Sequence, residues 1–148
     1  SVSKLYTVFT VDAVSLPALK DTALGVISTQ TWSPDLDNDM NNKFVSDYKA
    51  AHGAYPSFYA AQAYDTMMAI DHAVRESGST DAGAMRAVLA EGGIPTTRGT
   101  LAMNTNQFPI QNIYLREVVL DADGVATTKV IGTVFEDHSD AYASECKF

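Results

Sequence analysis

The stretch from Trp32 to Asp65 constrains the fold of this chain more than any other part of the sequence. It begins with an extended segment that Ser33-Pro34 breaks, continues into an amphipathic helix, and then meets a Gly-Tyr-Pro interruption. A second helix follows at once and opens on aromatic residues. Helices with one apolar face each need a sheet to cover, so strands are expected elsewhere in the chain.

Three helices are predicted between residues 38 and 91. Capping residues and glycines mark where they begin and end. These signals are, in chain order, Asp37 or Asn38 with Gly53, Pro56 with Gly78, and Asp81 with Gly92-Gly93. Apolar residues also recur at helical spacing along the second helix, where they form a stripe that is expected to face inward. The stripe comprises Ala60, Ala63, Tyr64, Met67, Ile70 and Val74.

Strands are predicted on both sides of the helices. Leu5–Val11 and Gly25–Trp32 flank a short helix over Leu16–Thr22, an order that indicates a parallel βα unit. After the helices the apolar period changes to two. Three further strands are predicted there, over Arg98–Met103, Ile110–Leu120 and Val125–Phe135, with Asp123-Gly124 turning the last pair into a hairpin.

Composition excludes several classes of protein. The formal net charge of −8 disfavours a nucleic-acid partner, which requires clustered Lys and Arg. No apolar run approaches the roughly 20 residues that cross a bilayer. The single cysteine, Cys146, excludes a disulfide within the chain and leaves two alternatives, an exposed thiol or a pairing with a missing segment or second chain.

The residues that carry catalysis or metal binding in other proteins are not arranged for either here. His52, His72 and His138 have no metal-ligand spacing, and no glycine-rich phosphate loop is present. The acidic run 35–39 resembles a calcium loop, but Met40 and Ser46 occupy its required Gly and Glu positions. We therefore expect no catalytic residue, no metal and no cofactor, and hence no enzyme.

Two features of the sequence allow a binding role. Tyr55, Phe58 and Tyr59 lie at a helix N-terminus, where rings can line a pocket and backbone N–H groups favour a carboxylate; the alternative is that the rings pack in the core. Arg98 precedes a predicted strand and can pair with an anion or bridge two surface acids. The residues alone leave both alternatives open.

Three stretches together carry a family resemblance. They are YTVFTVDAVSLPAL with GVISTQTWSPDLDN, then FVSDYKAAHGAYPSFYAAQAYDTMMAIDHAV, and finally RGTLAMNTNQFPIQNIYLREVVLDADG. They resemble the C-terminal portion of type I periplasmic solute-binding proteins, in particular the branched-chain amino-acid (Leu/Ile/Val)-binding family of ABC importers. The runs TWSPDLDN and NQFPIQ are most similar to members that bind aromatic carboxylates.

The resemblance implies a fragment of a two-lobe α/β fold, with parallel sheets flanked by helices and a C-terminal β-hairpin. Each part of the chain then has an expected place. Residues 1–31 end the second-lobe sheet, 32–37 form a hinge crossing, 38–95 are first-lobe helices, 96–99 form a second hinge crossing, and 100–148 are second-lobe closing strands and tail. Because first-lobe helices would lack their sheet, self-association or a missing companion segment is expected.

The resemblance also implies ligand-binding residues. Phe9 stands where amino-acid-binding members place an acid that pairs the ligand's ammonium, and Thr10 follows it. Tyr59 stands where the family places a ring against the ligand, with Phe58 and Asp12 as neighbours. Because Phe9 cannot pair an ammonium, an aromatic or apolar acid is favoured over an α-amino acid.

The implied function is the substrate-binding component of an ABC uptake transporter. Such a protein would be periplasmic, bind a small organic acid (an aromatic carboxylate or a branched-chain, hydrophobic amino acid) in an interlobe cleft, and deliver it to a membrane permease. The alternatives are a ligand-sensing domain of a receptor or regulatory protein with the same fold, and an α/β enzyme.

Overall fold

A six-stranded sheet with helices packed against it makes up the described part of the chain, residues 3–146, in the computed structural model. The strands are β1 (Tyr6–Val8), β2 (Ile27–Gln30), β3 (Ile94–Thr96), β4 (Gly99–Met103), β5 (Pro109–Leu120) and β6 (Ala126–His138). The helices are α1 (Leu16–Leu19), α2 (Asp39–His52), α3 (Phe58–Ser77) and α4 (Ala82–Glu91). Short 3-10 turns cover Lys20–Ala23 and Ala143–Glu145. The predicted α/β class is confirmed.

The sheet is mixed in direction. Its strand order is β1-β2-β5-β4-β3, with β6 pairing β5. β1 and β2 are parallel, as predicted for strands joined through a short helix, whereas the other pairings in residues 3–146 are antiparallel. The expectation of parallel sheets therefore holds for one strand pair. The predicted hairpin joins β5 to β6, where Gly124 has the positive φ of 76° that its turn requires.

The chain divides into two parts for description. We call β1, α1, β2, β5 and β6 the sheet unit, and α2, α3, α4, β3 and β4 the helical unit. The helical unit is inserted between β2 and β5 of the sheet unit, so the chain passes between the units twice. No helix among residues 3–146 is both long and apolar enough to cross a membrane.

The helix ends follow the predicted signals with one shift. The Asn38 side chain accepts a hydrogen bond from the Asn41 N–H at 2.9 Å, and Gly53 ends α2 in a left-handed conformation. Ser57, rather than Pro56, begins α3 by accepting a hydrogen bond from the Ala60 N–H. Ser57 is the better cap because its hydroxyl satisfies an N–H that the first turn leaves free.

Strand β3 was not predicted, because Pro95 lies at its centre. Proline lacks the N–H that a strand donates to its neighbour, so it indicates a loop in a short segment. In the structure β3 lies at the end of the sheet and pairs only β4 within residues 3–146. An edge position tolerates proline because one side of the strand needs no partner.

The apolar stripe predicted for α3 is only partly covered. Tyr64 packs against Phe44, with ring centroids 4.8 Å apart, but Met67 and Ile70 are 63% and 41% exposed. The residues of α3 that are buried lie beside the predicted stripe and are Ala61, Asp65 and Ala73. Periodicity therefore located the apolar face, whereas the packing within this chain uses the neighbouring face.

The first crossing between the units is held by a buried asparagine. Asn41 is fully buried, and its Oδ1 accepts a hydrogen bond from the Trp32 indole N–H at 2.7 Å. Its Nδ2 donates to three backbone carbonyls of the crossing segment, those of Ser33 at 3.4 Å, Pro34 at 3.2 Å and Leu36 at 2.9 Å. Two N–H groups are thus shared among three carbonyls of irregular backbone, of which those of Ser33 and Leu36 also accept turn hydrogen bonds.

A buried arginine holds the same segment from the sheet side. Arg116 of β5 is fully buried and donates to the Trp32 carbonyl at 3.1 Å and to the Ser28 hydroxyl at 3.3 Å. Burial lowers the pKa of the Arg116 guanidinium to about 10, and the negative charges of Asp12 and Asp35 oppose that shift.

We predict that Asn41→Asp destabilises the protein by about 3 kcal/mol, because a buried carboxylate oxygen would face three carbonyls that now accept from Nδ2. Urea unfolding measures this cost. Asn42→Asp is the matched control, since Asn42 is the next residue and is exposed, and we expect it to change stability by less than about 0.5 kcal/mol. Equal effects of the two substitutions would contradict the role given to Asn41.

Candidate functional site

Three of the predicted binding residues come together as a row of aromatic rings. Phe9, from the loop after β1, stacks on Phe58 at the start of α3, with ring centroids 6.4 Å apart and planes inclined by 22°. Tyr59 lies against Phe58 at 5.4 Å and 56°. Phe9 belongs to the sheet unit and the other two rings belong to the helical unit, so this aromatic wall is built across both units.

The rings of the aromatic wall are accessible. Phe9 is 52% exposed and Tyr59 is 64% exposed, while Phe58 between them is half-buried. Exposed neighbouring rings leave apolar surface that a flat apolar ligand can cover. The wall offers packing surface and no group that needs to ionise.

Phe9 also has an unusual backbone. Its φ is 32°, and it is the one aromatic residue among four non-glycine residues with positive φ in residues 3–146. This conformation costs an L-residue on the order of 1–3 kcal/mol and is frequent at ligand-binding positions. The Phe9 N–H nevertheless donates to the Thr29 carbonyl at 3.2 Å, so the loop leaves β1 in a defined position.

Asp12 lies beneath the wall and is buried, with 5% exposure. Its Oδ1 accepts a hydrogen bond from the Val14 N–H at 2.9 Å, and its Oδ2 accepts one from the Phe58 N–H at 3.0 Å. Both carboxylate oxygens are therefore engaged by backbone. The N-terminus of α3, where the sequence suggested room for a ligand carboxylate, is occupied by the carboxylate of Asp12.

The other residues singled out from the sequence lie apart from the rings. Thr10 is exposed, and its carbonyl accepts a hydrogen bond from the Ser15 hydroxyl at 2.9 Å. Tyr55 points toward the β5–β6 turn, where its hydroxyl donates to Asp121 Oδ2 at 2.9 Å. Lys49 Nζ stands 4.0 Å from the centre of the Tyr55 ring. Of the proposed aromatic cluster, Tyr55 thus serves the contact between the units.

Hydrogen bonds around the β5–β6 turn hold the Asp121 carboxylate in its charged form. The Val125 N–H donates to it at 2.8 Å and the Tyr55 hydroxyl at 2.9 Å, which lowers the pKa of Asp121 below its ordinary value. Lys49 Nζ lies 3.9 Å from the same carboxylate. The turn is therefore joined to α2 by a charged contact and to the α2–α3 loop by a hydrogen bond.

Arg98 has neither of the two roles that the sequence allowed, pairing an anion or bridging two surface acids. Its Nε lies 3.0 Å from Oδ2 of Asp65, a buried acid of α3, and its guanidinium also donates to the Gln111 side chain. The other Asp65 oxygen accepts from the Thr97 N–H at 2.7 Å. Arg98 and Asp65 fix the segment between β3 and β4 onto α3, so this arginine has a structural partner where an anion was considered.

Three grooves in residues 3–146 lie away from the aromatic wall. One of about 440 Å³ separates α3 from β3 and β4, one of about 490 Å³ lies beside α4, and one of about 420 Å³ lies between α1 and the β5–β6 turn. None of these three is lined by Phe9, Phe58 or Tyr59. The aromatic wall is an open surface, so a ligand packed against it needs a second contact surface on its other side.

Sequence reasoning identified the rings but missed how they are held. The bond between Asp12 and the Phe58 N–H joins residues 46 positions apart, and the bond between Arg116 and the Trp32 carbonyl joins residues 84 positions apart. Spacing arguments reach only local partners. The one available signal was an acid, Asp12, in an otherwise apolar run after a predicted strand.

Comparisons with known proteins agree with this architecture. A sequence model of the family described as periplasmic binding protein matches residues 2–124. The Leu/Ile/Val-binding protein homolog 6 of Brucella abortus (strain 2308) is 38% identical over an alignment of 130 positions that covers 84% of this chain and 33% of the relative. The chain thus spans about a third of the length of the curated relatives that it matches.

Two solved structures are similar over most of the chain. A solute binding protein of an ABC transporter from R. palustris, in complex with benzoate, has a TM-score of 0.81 and 28% identity, covering 98% of this chain and 39% of its own. A second, from Rhodopseudomonas palustris BisB5 in complex with 3,4-dihydroxy benzoic acid, has a TM-score of 0.76 and 28% identity, covering 88% and 36%.

These findings confirm the resemblance and the type I periplasmic-binding fold that the sequence suggested. The family match covers most of the chain, and both structural relatives bind benzoate-like acids. The chain is a member of the periplasmic binding protein family.

Proposed function

We propose that the protein carrying this chain is the substrate-binding component of an ABC importer and that it holds an aromatic carboxylate. The observation that carries this proposal is the aromatic wall, in which Phe9 of the sheet unit meets Phe58 and Tyr59 of the helical unit. A site made by two units suits a binder that closes on its ligand and releases it when the units separate. The ligand would pass to a membrane permease from the periplasm.

The relatives support an aromatic ligand. The two similar structures with benzoate and 3,4-dihydroxy benzoic acid are each 28% identical to this chain. A benzene ring matches the exposed faces of Phe9 and Tyr59, which provide stacking worth about 0.5–1.5 kcal/mol per pair beyond the area buried. Groups that bind the ligand's carboxylate would come from the part of the protein outside this chain.

A branched-chain or other hydrophobic amino acid is the second candidate, because the curated relative is named a Leu/Ile/Val-binding protein homolog. An amino acid brings an ammonium group that needs an acid within reach. Asp12 is the acid nearest the wall on the same loop, but both of its oxygens accept backbone hydrogen bonds. With phenylalanine at position 9 and Asp12 engaged, the aromatic acid is favoured.

We also propose that the units correspond to the two lobes, apart from β4 of the helical unit, most of which would fall in the second lobe. Residues 1–31 and 100–148 would belong to the second lobe and 38–95 to the first, with 32–37 and 96–99 as hinge crossings. The insertion of the helical unit between β2 and β5 supports this division. So do the crossings themselves, each of which is fixed at its ends by buried polar side chains such as Asn41 and Asp65.

The exposed apolar faces fit a chain that lacks part of its lobes. Met67 and Ile70 of α3 are exposed, and so are Tyr6 and Val8 of the edge strand β1. The chain spans about a third of its curated relatives. We propose that these faces are covered in the intact protein by the remainder of the same family fold, and that isolated copies of the chain cover them by self-association.

We predict that the intact protein binds benzoate and that Phe9→Ala weakens this binding about tenfold, because stacking and apolar contact on one ring face are lost. Isothermal titration calorimetry with benzoate and with leucine measures the two affinities. Phe9→Glu is expected to abolish benzoate binding and to gain leucine affinity, since it supplies the acid that an ammonium requires.

Phe108→Ala is the control for the benzoate titration. Phe108 is 63% exposed, yet it lies outside the aromatic wall, so its loss should leave the benzoate affinity unchanged. Tighter binding of leucine than of benzoate by the unsubstituted protein would contradict the proposed ligand class.

We predict that the isolated 148-residue chain self-associates and that Met67→Lys or Ile70→Lys shifts it toward monomer, because a charge on the exposed face disfavours its burial. Light scattering coupled to size exclusion measures the mass. Gln62→Lys provides a matched control on the exposed surface of the same helix. If the chain is monomeric at all concentrations, its exposed apolar faces are not buried by self-association, and the prediction is wrong.

A further inference from the structure

We propose that Asp12 is the positioning residue that sets the spacing of the Phe9 and Phe58 rings, and thereby the preference for flat ligands. This inference rests on the proposed function, since it concerns selectivity at the same wall. Asp12 need not touch the ligand to act in this way. It acts through Phe58, whose backbone N–H it holds.

The hydrogen bond from the Phe58 N–H to Asp12 Oδ2 lies where it can fix both rings at once. Phe9 and Asp12 belong to the same short loop after β1, so the ring and the carboxylate move together. On the helix side, Phe58 supplies both partners. Its backbone N–H donates to Asp12, and its ring stacks on the ring of Phe9. The loop and the helix are thus joined at two neighbouring points, one polar and one aromatic.

The hydrogen bonds of the Asp12 carboxylate define its orientation. Asp12 Oδ1 is held by the Val14 N–H within its own loop, which leaves Oδ2 directed at α3. Within residues 3–146, no lysine or arginine lies within salt-bridge distance of this carboxylate. Asp12 therefore depends on backbone N–H groups for its hydrogen bonds, and the first turn of a 20-residue helix is a favourable place for a negative charge.

Helix capping alone does not account for this contact. Ser57 already caps α3 locally through the Ala60 N–H at 3.2 Å. Asp12 adds a second acceptor from the other unit, which fixes where the helix start lies relative to the loop after β1. A partly buried hydrogen bond between the units sets a distance that local capping cannot set.

The arrangement that results suits a flat ligand. The Phe9 and Phe58 rings are already in contact, with centroids 6.4 Å apart and planes inclined by 22°, within the range of stacked aromatic pairs. Their outer faces are therefore nearly parallel, and the exposed side of the pair presents a flat apolar surface. A planar ring can lie on such a surface with all of its carbon atoms at about 3.5 Å, whereas a puckered ring brings only some of its atoms that close.

The test compares two probes of equal charge and similar size, benzoate with its flat ring and cyclohexanecarboxylate with its puckered ring. Affinities for both are measured in the intact protein and in its Asp12→Ala and Asp12→Asn variants. We expect Asp12→Ala to weaken benzoate about tenfold and cyclohexanecarboxylate less than twofold. Asp12→Asn should be intermediate, because its single carbonyl oxygen can accept from only one of the two amides.

Tyr55→Phe is the matched control. It removes a hydrogen bond between the same two units, that from the Tyr55 hydroxyl in the α2–α3 loop to Asp121. It leaves the Phe58 N–H untouched, so the ratio of the two affinities should stay unchanged. Equal weakening of both probes by Asp12→Ala, or no change in either, would overturn the positioning role.

A measurement without ligand separates this inference from the proposed function. Nuclear Overhauser contacts between the Phe9 and Phe58 rings, together with hydrogen exchange of the Phe58 amide, report the spacing directly. We expect the ring contacts to be lost and exchange to accelerate about tenfold in Asp12→Ala, but not in Tyr55→Phe. If the unsubstituted protein binds neither probe, the proposed function fails, and these ligand-free signals still decide the role of Asp12.

Discussion

The structure depends on how the backbone of the first crossing is satisfied. Residues 32–36 pass between the sheet and the helices without belonging to either, so side chains supplement the few turn hydrogen bonds of their backbone. Arg116 donates to the Trp32 carbonyl from β5, and the two N–H groups of the Asn41 amide reach the carbonyls of Ser33, Pro34 and Leu36 from α2. Trp32 is bound from both sides, through its carbonyl by Arg116 and through its indole by Asn41. Position and orientation of the helices therefore follow from two buried polar side chains.

Features with local causes could be predicted from the sequence. Asn38, Gly53 and Gly78 mark helix ends because capping is decided within a few residues, and the Asp-Gly turn fixes the β5–β6 hairpin for the same reason. The family resemblance added the rest of the architecture. β3 was missed because Pro95 argues against a strand unless its edge position is known. The covered side of α3 was also misjudged, because periodicity does not say which apolar face meets a partner.

The candidate site was predictable in its rings and not in its supports. Phe9, Phe58 and Tyr59 were indicated by residue type and by resemblance, and the structure brings them together. Asp12 was placed among the ligand-binding candidates, although its oxygens face backbone N–H groups of two units. Such a role depends on a contact between distant parts of the chain. A single sequence carries no spacing signal for it, because both partners are ordinary in their own surroundings.

The insertion of the helical unit between β2 and β5 has a consequence for how the molecule reaches its native state. Ile27 pairs with Glu117, so this strand pairing must wait until everything between them has been synthesised. The helices rely on neighbouring residues and can form early, whereas closing so long a loop is slow. During translation, β2 would wait beside β1 with its other edge unpaired, a state in which strands are prone to aggregation. A nascent chain of this design gains from chaperone protection until β5 emerges.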